Sequence, residues 1–146
     1  MTEYTSLREK IAAESAGRKA RYAEFETAYA EAYAAGCKAA AECAPTPMVV
    51  AEHANPLNDA SPVRQAWHVP EGVCGFAWVK IRGGNTSFAR WLKKVAKARP
   101  SYYGGIEINI REYGQSMQRK EAHARAMAKV LREKLGVEAY ADSRMD

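Results

Sequence analysis

The chain has 146 residues, 47% of them hydrophobic and 27% charged, a balance that excludes the low hydrophobicity of disordered proteins. This length supports one ordinary core with a helical appendage and is too short for two full cores. No apolar run reaches the roughly 18 to 20 residues of a membrane helix, and the start of the chain lacks a signal-peptide core. We therefore expect a cytoplasmic protein with no membrane partner. Its net charge of +5 favours polyanions as partners.

Residues 1–44 are predicted to form a helical arm. The segment between Ser6 and Cys43 contains no proline and much alanine, and Ser6 followed by Glu9 is a capping box. An unbroken helix of this span would be about 55 Å long at ~1.5 Å per residue, too long to lie entirely on its own core. It either breaks near Gly17 into a hairpin, projects towards a partner, or packs on its own sheet with a frayed first half.

Aromatic residues recur along this helix at intervals of three and four positions, which predicts a buried stripe. Because the helix is so long, this stripe is a candidate surface for a protein partner or for a second copy of the chain. Its residues are Tyr22, Phe25, Tyr29 and Tyr33.

Residues 45–70 are interpreted as an irregular connector, because five of the six prolines lie between Pro45 and Pro70. Within it, residues 48–51 are a candidate edge strand. Ser61 and Pro62 are a candidate start for a single helical turn.

Residues 71–146 are predicted to form an α/β (or α+β) domain with the order β-α-β-α-β. Residues 73–81 are apolar on both faces, which predicts a central strand. Residues 87–97 form an amphipathic helix that ends before Pro100, and residues 105–113 alternate as a half-buried strand. A second helix over 116–135 is capped by Gly136, and 137–141 is a final short strand. This order favours parallel neighbours with right-handed crossovers.

Parallel strands would bring the loops 82–86 and 114–116 to one edge of the sheet, where open α/β sheets bind ligands. Glycines and helix N-termini there would suit a phosphate. The alternative is that the glycines only turn the chain and Ser87 only caps its helix. The residues of this candidate anion site are Arg82, Gly83, Gly84, Ser116, Arg119 and Lys120.

The outer face of the first domain helix is basic and is followed by two tyrosines. Lysine and arginine contact phosphates, and aromatic rings stack on bases, so this pattern indicates nucleic-acid binding. The alternative is that the charges only solvate the helix and the tyrosines border the core. The residues are Arg90, Lys93, Lys94, Lys97, Tyr102 and Tyr103.

Glu107, Asn109 and Arg111 share the polar face of the second strand, where they would line a pocket if the arm covered them and would face water otherwise. They do not form an acid–base pair by themselves. No nucleophile elbow, phosphate-loop or zinc-protease motif occurs, so the sequence favours a protein that is not an enzyme and needs no cofactor. His123 on the second helix is expected at the surface.

The cysteines and two histidines carry no ligand pattern. Three cysteines without a CxxC pair favour reduced thiols over disulfides. The spacing of Cys43, His53, His68 and Cys74 matches no ordinary zinc site, and we expect no bound metal.

The region from about residue 48 to residue 146 resembles small uncharacterised proteins encoded by bacteriophages. The resemblance implies a bacterial cytoplasm and an accessory role such as nucleic-acid handling or host interference, and it brings no site residues with it. The segments that carry it are Gly75-Phe76-Ala77-Trp78, Phe88-Ala89-Arg90-Trp91-Leu92-Lys93-Lys94, Tyr102-Tyr103-Gly104-Gly105, Gln115-Ser116, Arg119-Lys120 and Ser143-Arg144-Met145-Asp146.

Three functional hypotheses follow, of which the third, ranked below the other two, is a small enzyme with Glu107 and Arg111 in a pocket. The first is a basic protein, not an enzyme, that binds nucleic acid or a nucleotide phosphate. The second is a protein-interaction module or an inhibitor of a host factor that acts through the arm.

Overall fold

A computed structural model describes residues 6–146 of the chain. It begins with one long helix, α1 (Leu7–Glu42), which runs through Gly17 without a break. Both halves of the predicted capping box are present, because the Ser6 side chain accepts from the N–H of Glu9 and the Glu9 carboxylate accepts from the N–H of Ser6. The predicted helix is confirmed, and the alternative of a hairpin at Gly17 is wrong.

Only the second half of α1 packs on the rest of the protein. Its buried positions follow a step of three or four residues; Phe25 packs on Phe88 and Trp91, and the stripe that follows lies against the last helix. Small residues dominate this stripe, so the two helices approach closely. The first four turns are exposed to solvent and extend beyond the core. The buried residues are Phe25, Ala28, Ala32, Gly36 and Ala40.

Residues 45–70 are not an irregular connector. They contain two antiparallel strands, β1 (Met48–His53) and β2 (Val63–Val69), which pair only with each other. Ser61 and Pro62 do not start a helical turn, because Pro62 directly precedes β2. Most side chains of this hairpin are exposed on both faces. It therefore lacks the one-sided hydrophobic alternation that predicts a strand.

The remaining strands form one antiparallel sheet, which corrects the expected parallel arrangement. They are β3 (Gly75–Ile81), β4 (Arg99–Pro100), β5 (Ile106–Asn109) and β6 (Ala139–Met145), in the spatial order β4-β5-β3-β6. Both β5 and β6 run antiparallel to the central β3. The unexpected strand β4 reverses the chain before β5 begins. With the two helices described next, the strands have the split β-α-β topology.

Two helices connect the strands. The first, α2 (Ser87–Lys94), ends three residues earlier than predicted, and the second, α3 (Met117–Leu135), begins after its N-cap Ser116 and ends at Gly136 in the left-handed region. Both pack apolar side chains against one face of the sheet, so the predicted amphipathic helices and the mixed α/β class are confirmed. No helix within residues 6–146 is long and apolar enough to cross a membrane.

The other face of the sheet has no helix on it in the described part of the chain. Along β3, Ala77, Val79 and Ile81 are buried under the helices, whereas Phe76 is exposed and Trp78 is half-buried. The sequence places apolar residues on both faces of this strand, and only one of these faces is in the core. The domain is thus a two-layer structure with an open sheet face.

Candidate functional site

The positive charge of the protein is concentrated in one segment. Between Glu71 and Glu107 the chain has seven basic and no acidic residues, whereas the rest of the chain has fifteen basic and seventeen acidic residues. The segment covers β3, α2, β4 and the turns between them. Its basic residues are Lys80, Arg82, Arg90, Lys93, Lys94, Lys97 and Arg99.

Three of these residues lie on the outer side of α2, and a fourth, Lys97, lies three residues beyond its end. The sequence predicts this basic face, and all four side chains are exposed. Lys94 and Lys97 lean towards α1, where their ammonium groups lie 5.2 Å from the ring of Tyr22 and 5.9 Å from the ring of Tyr29. The other two are Arg90 and Lys93.

The predicted tyrosines form the tip of the turn between β4 and β5. The side chains of Tyr102 and Tyr103 are 94% and 86% exposed, and their ring centroids are 5.0 Å apart. Gly105 anchors this turn against the end of β3, since a Cβ at this position would collide with the carbonyl oxygen of Ile81. The two rings therefore stand at the edge of the sheet and do not border the core.

Basic and aromatic side chains from neighbouring strands meet on the open face of the sheet. The ammonium group of Lys80 lies 5.9 Å from the ring of Tyr103, and the guanidinium of Arg82 lies 5.7 Å from the ring of Tyr140. At the other end of the face, Arg144 is 5.3 Å from the ring of Phe76. Sequence reasoning missed this group, because it depends on strand neighbours that the alternation of single strands does not reveal.

The predicted anion site between two loops does not exist as one site. Cys74 pairs with Ser116 at the start of β3, whereas Arg82 follows its end, so the two loops lie at opposite ends of the antiparallel sheet. Thr86, and not Ser87, is the N-cap of α2. Gly83 has a φ of 81° and Lys93 Nζ donates to the carbonyl oxygen of Gly84, as expected for a chain turn held by its own helix.

The three residues from the second loop have internal partners. Ser116 is buried and donates to the carbonyl oxygen of Glu71, and Lys120 is buried and donates to the carbonyl oxygen of Gly75. Arg119 pairs with the Glu71 carboxylate and donates to the carbonyl oxygens of Ala40 and Cys43 at the end of α1. These residues hold the fold together and do not present charge to a ligand.

The predicted polar pocket lies in a cleft of about 730 Å³ between α1, the end of α2 and the edge of β5. Glu107, Asn109 and Arg111 all line it. Glu107 pairs with Arg99 at 3.1 Å, and the Asn109 amide oxygen, turned towards the same guanidinium, accepts from Nε at 3.0 Å. Helix α1 lies across the cleft from this edge of the sheet, whereas Glu107 and Asn109 lie opposite Lys80 and Trp78 on the open face.

The predicted interaction stripe largely packs within the chain. Phe25 is buried, with its ring centroid 5.3 Å from that of Phe88, and Tyr22 and Tyr29 pack against the same core. The Tyr33 hydroxyl donates to Glu112 at 3.1 Å. This bond raises the pKa of Tyr33 to about 12, so the hydroxyl stays protonated at neutral pH.

His123 is not a surface residue. It is fully buried against α1, and its Nδ1 is 2.7 Å from the hydroxyl of Tyr113, a residue with a positive φ of 72°. Its Nε2 has no hydrogen-bond partner within the described residues. Burial lowers the pKa of His123, against the smaller opposing effect of the Glu112 charge. The imidazole is therefore neutral at pH 7.

No group of three or more histidine, cysteine, aspartate or glutamate side chains among residues 6–146 is arranged to hold a metal ion. In comparisons with known proteins, no family model, no curated protein and no solved structure matches the chain.

Proposed function

We propose that the protein binds single-stranded nucleic acid across the open face of its sheet, with helix α2 as a basic border. The observation that carries this proposal is the segregation of charge, because seven basic and no acidic residues lie between Glu71 and Glu107. A surface of this kind attracts phosphates, releases their counterions and gives a salt-dependent affinity.

Exposed aromatic rings favour a single strand over a duplex. The bases of a single strand are free to stack on side chains, whereas those of a duplex are not. Tyr102 and Tyr103 are almost fully exposed at one corner of the open face, next to Lys80. Tyr140 extends the aromatic surface along β6, beside Arg82. Phosphate-binding charge and stacking surface therefore occur together.

The open face is not uniformly basic, and this restricts the path of the strand. Glu107 and Asp142 lie on it, and Glu107 is neutralised by Arg99. Phosphates would avoid the exposed Asp142 near the middle of β6. We expect the backbone to follow the end of the sheet that carries Lys80 and Arg82 and then the outer side of α2.

A salt titration tests this proposal. Fluorescence anisotropy would measure the binding of labelled single-stranded DNA and RNA and of a duplex at increasing salt. Loss of each phosphate contact should reduce the slope of log K against log salt by about 0.7.

The variant Arg90→Gln/Lys94→Gln should show this change. The matched control Lys38→Gln/Lys129→Gln removes the same charge from exposed positions of α1 and α3. Absence of binding at low salt, or equal effects of both variants, would contradict the proposal.

The projecting part of α1 supports a second candidate function, the binding of a protein. Leu7 and Ile11 are 74% and 57% exposed on turns that contact no core. A partner or a second copy of the chain would cover them. The variant Leu7→Glu/Ile11→Glu leaves the packed half of α1 unchanged and should abolish any self-association seen by light scattering. A wild-type monomer at all concentrations would exclude self-association.

The cellular setting belongs to the same proposal. A basic nucleic-acid-binding protein fits an accessory role in the cytoplasm of a bacterial cell infected by a phage, as the sequence resemblance implies. Fractionation of infected cells, with the protein recovered from the membrane pellet, would contradict this setting.

A further inference from the structure

The cleft beside α1 is a second surface, which meets the open sheet face at Glu107 and Asn109 of β5. Strand β4 covers only the first half of β5, so the edge of β5 at Ile108 and Asn109 opens into the cleft. The opposite wall belongs to α1. The cleft joins the basic side of α2 at Lys97, which lines it. A nucleic-acid strand that follows α2 would therefore pass the opening of the cleft.

The walls of the cleft can hold a flat ring. Tyr29 lines one side beside Trp91, whose side chain is only 6% exposed; the two ring centroids are 6.2 Å apart and the ring planes are tilted by 64°. Val95 and Ile108 add apolar surface. A volume of about 730 Å³ lies within the range of small-molecule sites, about 300 to 1,000 Å³. Aromatic and aliphatic walls of this kind stack on bases of any sequence.

The polar groups of the cleft provide donors and acceptors, and its three basic residues are matched by three acidic ones, Glu26, Glu107 and Glu112. Burial and the nearby Glu112 charge raise the pKa of Tyr29, which keeps its hydroxyl as a donor. Burial opposes ionisation of Glu112, but hydrogen bonds from its own N–H, from the Tyr33 hydroxyl and from the N–H of Arg111 outweigh this and lower its pKa. Glu112 is therefore an ionised acceptor at neutral pH.

Two cations at the cleft are available to an anion. The guanidinium of Arg99 is occupied by Glu107 and Asn109. In contrast, the side chains of Lys97 and Arg111 make no hydrogen bond or ion pair with any described residue. A ligand with one flat ring that carries donors and acceptors and one phosphate matches this set.

We infer that the cleft binds one nucleotide, with its base against Tyr29 and Trp91 and its phosphate between Lys97 and Arg111. The inference rests on the proposed function, since the nucleotide would belong to the strand held by α2. It adds a cleft with walls on two sides of the base, whereas the open face provides only a stacking surface.

The three tryptophans allow the two surfaces to be observed separately. Trp91 lines the cleft, Trp78 lies on the open face and Trp67 lies on the β1–β2 hairpin. The variant Trp67→Phe/Trp78→Phe retains Trp91 alone. Its fluorescence would be titrated with AMP and UMP, and with ribose 5-phosphate and inorganic phosphate as ligands that lack a base.

We expect saturable quenching of Trp91 by the nucleotides and none by the ligands without a base. Arg111→Ala in the same background should weaken nucleotide binding about tenfold, as for the loss of one charge-assisted hydrogen bond. Arg125→Ala, which removes an exposed arginine from α3, is the matched control and should leave it unchanged. Circular dichroism would verify that the variants are folded.

The outcomes separate this inference from the proposed function. If oligonucleotides bind but the fluorescence of Trp91 does not change with nucleotides, the strand-binding proposal stands and the cleft inference is wrong. Equal responses to AMP and to ribose 5-phosphate would also overturn it. Saturable nucleotide binding without oligonucleotide binding would support the cleft and contradict the strand-binding proposal.

Discussion

Gly36 on α1 lies directly against the imidazole of His123 on α3. A Cβ at position 36 would lie 2.6 Å from both Cδ2 and Nε2 of this ring. Because His123 is fully buried and its Nδ1 bonds to the Tyr113 hydroxyl, the ring has little room to move. The contact limits how closely α1 and α3 can approach each other at this point.

We expect Gly36→Ala to destabilise the protein. Overpacking a filled core costs about 1 to 3 kcal/mol, which exceeds the gain of up to about 1 kcal/mol from the better helix propensity of alanine. Thermal unfolding should show a Tm lowered by about 2 to 4 °C for each kcal/mol lost. Gly17→Ala is the matched control on the same helix, since its Cβ would meet only Arg21 Nη1, at 3.7 Å. This control should raise the Tm, and an equal rise for Gly36→Ala would contradict the packing.

Stability should fall as the pH drops below about 6.5, because His123 is buried in its neutral form. Burial lowers its pKa in the folded protein below the ordinary value of 6.5. Between that folded pKa and 6.5 the unfolded chain binds more protons than the folded chain, so the free energy of unfolding decreases by up to about 1.4 kcal/mol per pH unit. The lowered pKa of Glu112 adds a separate loss below about 4.5.

Urea unfolding between about pH 7.5 and pH 5 measures this effect of His123. The variant His123→Leu should lose the dependence in that range, whatever its absolute stability. His53→Gln/His68→Gln, which changes only the two histidines of the β1–β2 hairpin and keeps His123, should retain it. A pH dependence that survives in His123→Leu would show that another group is responsible.

Arg119 should matter for stability and not for nucleic-acid binding. It donates to the carbonyl oxygens of Ala40 at 2.7 Å and Cys43 at 3.2 Å, and it pairs with Glu71. It thereby caps the end of α1, whose last turn has no basic residue of its own. Since the pair is partly exposed, we expect Arg119→Ala to cost about 1 to 2 kcal/mol.

The variant Arg119→Lys tests whether Arg119 stabilises the end of α1 through its specific hydrogen bonds or only through its positive charge. One ammonium group cannot match the planar fork of donors that reaches Glu71 and α1 together, so lysine should restore little of the lost stability. Urea unfolding measures the stability, and anisotropy under conditions where both variants are folded measures the affinity. A weaker oligonucleotide affinity with an unchanged free energy of unfolding would contradict this prediction and show that Arg119 contributes to nucleic-acid binding.

Local patterns in the sequence were sufficient for the helices. The capping box at Ser6, the left-handed Gly136 and the basic side of α2 depend on residues within a few positions of one another, and all are confirmed. Local patterns do not reveal the direction of the strands, because the chain reverses at β4 before β5 begins. Two residues, Arg99 and Pro100, form this strand, and they are too few for any periodicity.

Local sequence patterns also fail to show which of the candidate site residues face solvent. Arg90 and Arg119 are both arginines on amphipathic helices, and no local signal separates them. Arg90 faces water, whereas Arg119 meets the end of α1, whose carbonyl groups are more than seventy positions away in the chain. His123 is buried for the same reason, since Gly36 and Tyr33 of α1, far away in the chain, lie against its ring.

Tyr102 and Tyr103 should contribute to affinity through stacking and not through charge. Stacking of a base on an aromatic side chain is worth about 1 to 3 kcal/mol, so Tyr102→Ala/Tyr103→Ala should weaken the binding of a single strand about five- to 150-fold. The slope of log K against log salt should stay constant, because no phosphate contact is lost. Anisotropy titrations at several salt concentrations measure both quantities. Since both rings are exposed at a turn, unfolding should be unaffected. A change in slope with little change in affinity would mean that the turn only positions Lys80, and the stacking role would then be wrong.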